Sequence, residues 1–158
     1  MLARGLCRGV AVCLMVCVAT ARAAQTTEPE PLPLQQVADN IWFVQGQAAL
    51  GSPANRNFIS NAGFVVTPQG VVVIDALGSP VLARELIAAI RRITDQPIRY
   101  VIVTHWHADH IYGLQAFKDV GATVVGHRKA LEYLNSDTAT QRLAASRQDL
   151  RQIGRAHV

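Results

Sequence analysis

The stretch THWHADH, residues 104–110, places three histidines and one aspartate within seven positions. It follows the apolar segment 98–104, whose composition is typical of a β-strand covered on both faces. Residues two apart on an extended chain point to the same side. His105 and His107 can therefore offer two imidazoles to one metal ion, and the stretch predicts a metal site where a buried strand ends.

Asp109 and His110 follow where the chain turns off this strand, and they can reach a second metal ion. Imidazole and carboxylate ligands suit zinc, and an open coordination position holds a water. Bound zinc lowers the pKa of that water towards about 7, which provides hydroxide at neutral pH. Asp109 is the candidate catalytic residue, because it can ligate a metal and orient the nucleophile. The alternatives are a histidine-rich surface turn and part of a structural zinc site, which is usually closed by four ligands.

Residues 1–23 have the pattern of an export signal. They combine a basic start, an apolar run over residues 10–20 and the A-x-A cleavage site at residues 21–23. The run is shorter than the roughly 20 residues of a membrane-spanning helix. A lipid-anchored Cys17 is the lesser alternative. We therefore expect a periplasmic or secreted protein that has no stable membrane insertion after cleavage of the signal.

Cleavage of this signal changes the composition of the chain. All three cysteines lie within residues 1–23, so the rest of the chain offers no thiolate ligand and no disulfide. Three of the 15 basic residues lie there too, which leaves 12 basic residues against 11 acidic ones. A nucleic-acid-binding face needs clustered excess positive charge. We expect a small-molecule partner and no nucleic acid, and the oligomeric state stays open.

The remaining residues predict one α/β (α+β) domain, with strands first and alternating helices and strands afterwards. A proline-rich leader covers residues 24–36, and the domain covers residues 37–152. The predicted elements are a strand over 37–45, a hairpin of 58–67 and 71–75, a helix capped by Ser79, a strand over 98–104, a helix over 113–120, a strand over 122–126 and helices from Arg128 onward. The final IGRAHV, residues 153–158, matches the codons of a common sequencing adaptor, so we interpret it as read-through.

The segment HWHADH, residues 105–110, has the H-x-H-x-D-H motif of the metallo-β-lactamase superfamily, and the chain resembles that family over residues 37–135. The resemblance also rests on NAGFVVT, GVVVIDALGS, VIVTH and YGLQAFKDVG. It implies an αββα sandwich, of which only the N-terminal portion is present, with two zinc ions at one edge of the sheets. By this resemblance His105 and His107 bind the first zinc, and Asp109 and His110 bind the second.

The resemblance also implies ligands that this chain does not contain. Family members have a third histidine, a bridging aspartate and a last histidine further downstream, so we expect the fragment alone to be inactive. His127 is expected to be an ordinary surface histidine. Asp75 is expected to support the metal loop by hydrogen bonding. The alternative interpretation is a strand-end aspartate that only caps a turn. The same two interpretations, support of the site or a local structural role, are open for Asn61. Loop 46–57 either borders the substrate cleft or only connects strands.

The resulting prediction is an exported zinc-dependent hydrolase that uses a metal-bound hydroxide on a β-lactam, a thioester or an ester. The chain looks most similar to periplasmic hydrolases found beside quinoprotein and sulfur-oxidation systems. Diiron redox relatives carry glutamate where this chain has His107, which favours zinc. The alternative is a non-catalytic metal-binding or scaffold protein with the same fold.

Overall fold

A computed structural model describes residues 29–153. The predicted export signal and residues 154–158 of the predicted read-through lie outside these residues. The strands are β1 Gln35–Ala38, β2 Ile41–Val44, β3 Ala62–Thr67, β4 Gly70–Ile74, β5 Ile98–Val103 and β6 Thr123–Gly126. The helices are α1 Pro80–Ile93, α2 Ala108–Ile111, α3 Leu114–Asp119, α4 Ala130–Leu134 and α5 Asp137–Ile153. None of these helices is long and apolar enough to cross a membrane.

The six strands form one mixed sheet in the order β1-β2-β3-β4-β5-β6. Strands β1 to β4 pair antiparallel, whereas β4, β5 and β6 pair parallel. Parallel neighbours need a crossover connection. Helix α1 supplies the connection from β4 to β5, and α2 with α3 supplies the one from β5 to β6. This arrangement confirms the predicted α+β class.

Helix α1 begins where the sequence predicts it. The Ser79 side chain accepts a hydrogen bond from the Leu82 amide at 3.2 Å, and Pro80 occupies the first turn, where its missing N–H costs nothing. Its apolar stripe, with Leu86 and Ile90 fully buried, packs on the sheet. The helix ends at Thr94, whose backbone is extended.

Helices α1 and α3 cover one face of the sheet, where Phe64, Val101 and Phe117 are fully buried. The prediction that β5 is covered on both faces is wrong for the described residues. Tyr100 is 48% exposed and Ile102 is 39% exposed, so their side of β5 is open in the described part of the chain.

The predicted first strand, 37–45, is also wrong, because it is two strands. Asn40 adopts a φ of 61°, in the left-handed region that asparagine tolerates, and this turn separates β1 from β2. The second strand of this hairpin keeps the predicted alternation, since Val44 is fully buried. The predicted hairpin of β3 and β4 is confirmed, except that β3 begins only at Ala62.

Candidate metal centre

The parallel pairing of β4 and β5 brings two strand ends to one edge of the sheet. Ile74 lies opposite Ile102, so Asp75 and Thr104 leave the sheet side by side. Asp75 Oδ1 accepts a hydrogen bond from the Thr104 amide at 2.9 Å, and Oδ2 accepts one from the Thr104 hydroxyl at 2.7 Å. These bonds fix the start of the histidine stretch, and they confirm that Asp75 supports this loop by hydrogen bonding.

His105 and His107 form the first donor pair. Their Nε2 and Nδ1 atoms, respectively, lie 3.1 Å apart. Zinc–nitrogen bonds are about 2.0 Å long, so two nitrogens at this separation can both bind one ion. The structure thus brings the two histidines together as the alternation along the chain predicts.

The protonation of His105 follows from its neighbours. The Thr104 hydroxyl donates to Asp75, so its oxygen accepts from the His105 Nδ1–H at 3.0 Å. This leaves the lone pair on Nε2, the atom that faces His107. Partial burial and, after it, the neighbouring His110 and His107 lower the pKa of His105, while Asp75 and Asp109 act in the opposite direction. A lowered pKa favours the neutral imidazole that ligates metals.

Asp109 and His110 form the second donor pair. The His110 Nδ1–H donates to Asp75 Oδ2 at 2.8 Å, which leaves the His110 Nε2 lone pair free, 3.5 Å from Asp109 Oδ2. The ring centroids of His105 and His110 are 4.0 Å apart, so the two pairs adjoin. Hydrogen bonds to the far imidazole nitrogen are the usual way in which proteins orient ligating histidines. Asp75 therefore orients one imidazole of each pair.

Backbone contacts hold the turn that carries the second pair. The buried Ser60 hydroxyl donates to the Asp109 carbonyl, and the Ala76 amide donates to the His110 carbonyl at 2.8 Å. The Gly113 amide donates to the carbonyl of Leu77, a residue with a φ of 64°. Sequence reasoning missed Ser60, because a contact across 49 residues leaves no local pattern.

The other candidate residues lie in different places. Asn61 Oδ1 accepts from the Gly46 amide at 3.0 Å, which supports loop 46–57. A side chain at Gly78 would meet the Asn57 carbonyl at 3.0 Å and the Asp109 Cα at 3.4 Å, so this loop borders the site. His127 Nδ1 accepts from the Lys129 amide in a local turn after β6, and its lack of a metal role stays a prediction.

The donor set fits zinc as two incomplete pairs. Among residues 29–146, whose side chains the structure describes, no three His, Cys, Asp or Glu side chains are arranged to hold one ion. Each pair therefore leaves coordination positions open for other ligands or for water. Imidazole and carboxylate are ligand types that zinc accepts. In the described part of the chain, every buried polar side-chain atom has a hydrogen-bond partner.

Substituting Asp75→Asn is expected to weaken zinc binding by about 10- to 100-fold. The amide nitrogen cannot accept the two hydrogen bonds that Oδ2 takes from Thr104 and His110, so both donor pairs lose their orientation. Competition with a chromophoric chelator measures the affinity. Asp119→Asn is the matched control, because the Asp119 carboxylate only accepts from Gln115 on the surface. Equal affinities of the two variants would contradict this role.

Comparison with known sequences gives one family and several relatives. The model of the metallo-β-lactamase superfamily matches residues 55–156. The metallo-β-lactamase type 2 of Bacillus cereus is 29% identical over 104 residues, which cover 66% of this chain and 39% of the relative. The linear primary-alkylsulfatase of Pseudomonas sp. (strain ATCC 19151) is 38% identical over 53 residues, which cover 34% of this chain and 10% of the relative.

Solved structures agree with the sequence comparison. A B3 metallo-β-lactamase with an active-site glutamic acid is 27% identical with a TM-score of 0.52, covering 69% of this chain and 38% of its own. The metallo-β-lactamase from Pontibacter korlensis is 22% identical with a TM-score of 0.57, and the match covers 68% of this chain and 48% of that structure. At this identity the comparison shows a similar fold. The chain spans about two fifths of the curated lactamase that it matches and a tenth of the alkylsulfatase.

Proposed function

Because this chain belongs to the metallo-β-lactamase superfamily, we propose that it carries the first half of the metal centre of an exported zinc-dependent hydrolase. The fold is that of a superfamily of metal-dependent hydrolases. The substrate is a small acyl compound: a β-lactam, a thioester or an ester. The observation that supports this proposal most is the pair of adjoining donor sets, His105 with His107 and Asp109 with His110, at the edge of the sheet.

Each residue of the site has a distinct part in the proposed reaction. Zinc bound at the two pairs supplies a Lewis acid and lowers the pKa of a water to about 7. Asp75 keeps one imidazole of each pair in the tautomer that exposes Nε2, through Thr104 for His105 and directly for His110. Asp109, whose side chain is 25% exposed, would ligate the second ion and orient the attacking nucleophile.

The chain itself supplies two donors for each of two zinc ions in this proposal. We infer that the remaining ligands come from a part of the whole protein outside this chain, since the curated lactamase is longer than the matched part. Export rests on the pattern of residues 1–23, which lie outside the described residues. The nearly balanced charge of the remaining chain supports a small-molecule substrate over nucleic acid.

A sulfate ester is a second candidate substrate. The 38% identity to the linear primary-alkylsulfatase favours it, although that similarity covers only 53 residues. Sulfate-ester hydrolysis would use the same donor pairs. The third possibility, a non-catalytic metal-binding or scaffold protein, keeps the fold and the metal but turns over no substrate.

Turnover by the whole zinc-loaded protein, which includes the part that supplies the remaining ligands, separates these three possibilities. The panel consists of nitrocefin, a hydroxyacyl-glutathione thioester, p-nitrophenyl acetate and a linear alkyl sulfate. We expect hydrolysis of at least one acyl substrate, loss of this activity with a chelator and its recovery with added zinc. Hydrolysis of the alkyl sulfate alone would favour the sulfatase alternative. No turnover despite full zinc loading would overturn the hydrolase proposal and favour the scaffold.

A further inference from the structure

An ion pair fastens the loop that borders the site to helix α1. Near the end of loop 46–57, the Arg56 guanidinium contacts Oε1 of Glu85, which lies 29 residues further along the chain. Glu85 is 8% exposed, whereas the Arg56 side chain is 49% exposed. A glutamate is rarely buried unless its carboxylate is paired. The position of the guanidinium is therefore fixed by a buried partner.

Helix α1 is a firm support for this contact. Its neighbouring residues Leu82 and Leu86 are buried in the core of the domain. The leader packs on the helix at the same residue, since the Leu32 amide donates to the Glu85 carbonyl at 3.4 Å and the Leu32 side chain is buried. Arg56 thus ties the loop to a part of the fold that is held from two sides.

The backbone around Arg56 is tightly ordered. The buried Asn55 side chain accepts hydrogen bonds from the amides of Ser52 at 2.9 Å and Asn57 at 3.0 Å. It also donates to the Leu50 carbonyl at 2.9 Å. Arg56 and Asn57 adopt φ values of 55° and 59°, in the left-handed region that a long side chain rarely occupies. Such a backbone persists only where surrounding contacts hold it, and the ion pair is one of them.

The next residue connects this part of the loop to the second donor pair. A Cβ added at Gly78 would lie 3.0 Å from the Asn57 carbonyl oxygen and 3.4 Å from the Asp109 Cα. The backbones of Asn57, Gly78 and Asp109 are therefore layered, with little room for a side chain between them. The Ser60 hydroxyl, three residues after Asn57, donates to the Asp109 carbonyl. Asp109 thus rests against the segment that Arg56 holds.

The first donor pair is held in a different way. His105 is oriented by the Thr104 hydroxyl, which itself donates to Asp75, and both of these residues lie at strand ends. A displacement of loop 46–57 would act first on Asp109, because the loop packs there through Gly78. The two pairs should therefore differ in their sensitivity to the Arg56–Glu85 ion pair.

We propose that Arg56 is a positioning residue, which through its ion pair with Glu85 holds Asp109 in place to ligate the second zinc ion. This inference rests on the proposed function and deepens it, because the second ion belongs to that site. Arg56 contacts neither the ions nor the substrate, and it acts through Asn57 and Gly78. Contacts behind a ligand change metal affinity because they fix the orientation of that ligand.

Stepwise zinc affinities test the proposal without any turnover. The whole protein is titrated with zinc against a chromophoric chelator, which gives one dissociation constant for each ion, and His107→Ala identifies the constant of the first pair. We expect Arg56→Gln to weaken binding of the second ion about tenfold and to leave the first unchanged. Arg56→Lys should keep most of this affinity, since an ammonium can also pair with Glu85. Glu85→Gln, which keeps an acceptor, should cause a smaller loss that is again confined to the second ion.

The matched control is Arg84→Gln, an exposed arginine on α1 beside Glu85, which should bind both ions like the unsubstituted protein. Equal weakening of both ions in Arg56→Gln would mean that the ion pair supports only the fold, and it would overturn the proposal. An unchanged second constant would overturn it as well. If Arg56→Gln does not fold, Glu85→Gln decides by the same criterion. A protein that binds two zinc ions but hydrolyses nothing would fail the proposed function alone, so the two failures are distinguishable.

Discussion

In the whole protein, replacing His107 with alanine is expected to remove the first zinc ion and to lower turnover by about three powers of ten. The substitution removes one of the two nitrogens that lie 3.1 Å apart, and a single imidazole from this chain then remains for that ion. Zinc supplies several kcal/mol of charge stabilisation, and each 1.36 kcal/mol corresponds to a factor of ten in rate. Zinc content after dialysis, measured by mass spectrometry, and turnover of the best substrate check this result.

His127→Ala is the matched control for that experiment. His127 also follows a parallel strand that ends at the same edge of the sheet, but its Nδ1 accepts from the Lys129 amide. We expect full zinc content and unchanged turnover in this variant. If His127→Ala loses zinc and His107→Ala keeps it, the assignment of the first donor pair is wrong.

Substituting Gly113→Ala is expected to lower the free energy of unfolding by about 3 kcal/mol. An added Cβ would lie 1.9 Å from the Ala76 carbonyl oxygen and 2.7 Å from the Ala83 side chain, so backbone would have to move. The Gly113 φ is −82°, a value open to any residue, so the whole cost is steric. Because the Gly113 amide also binds the Leu77 carbonyl, this shift would displace the turn that carries His110. Urea denaturation followed by circular dichroism measures the change.

Gly126→Ala provides the comparison for this stability effect. The Cβ added there has its nearest contact with the Val103 Cβ at 3.8 Å, an ordinary packing distance. We expect a change within about 0.5 kcal/mol, as for most substitutions away from tight packing. Equal losses in the free energy of unfolding at Gly113 and Gly126 would show that the close approach to Ala76 does not affect stability.

The sequence was sufficient for features that depend on short-range patterns. Ser79 and Pro80 predict the start of α1, because a side-chain cap and a proline in the first turn have a local cause. The apolar strand before His105 predicts that the histidines leave the sheet at its edge. The spacing of His105 and His107 predicts that they come together, which the 3.1 Å separation of their nitrogens confirms.

Features that depend on contacts between distant segments were not predictable in this way. The Ser60 hydroxyl reaches the Asp109 carbonyl across 49 residues, and the Arg142 side chain reaches Trp106 from another helix. Neither contact changes the local periodicity of the chain. The turn at Asn40 was missed for a different reason, because the prediction of one strand over 37–45 passed over the polar pair Asp39-Asn40, whose composition is typical of a turn.

The open face of β5 illustrates how context overrides a local pattern. The apolar run through Tyr100 and Ile102 predicts burial on both sides, yet both residues are more than a third exposed among the described residues. In the αββα architecture that the resemblance implies, a second sheet covers this face. We therefore propose that residues beyond this chain supply that cover, together with the remaining metal ligands.

The most direct test of the donor-pair assignment is a crystal structure of the zinc-loaded protein with anomalous diffraction data at the zinc edge. The account predicts one anomalous peak within bonding distance of His105 Nε2 and His107 Nδ1, and a second within reach of Asp109 and His110 Nε2. Zinc–nitrogen distances should be about 2.0 Å. Zinc bound elsewhere, with these four side chains in solvent or bonded only to each other, would contradict the account.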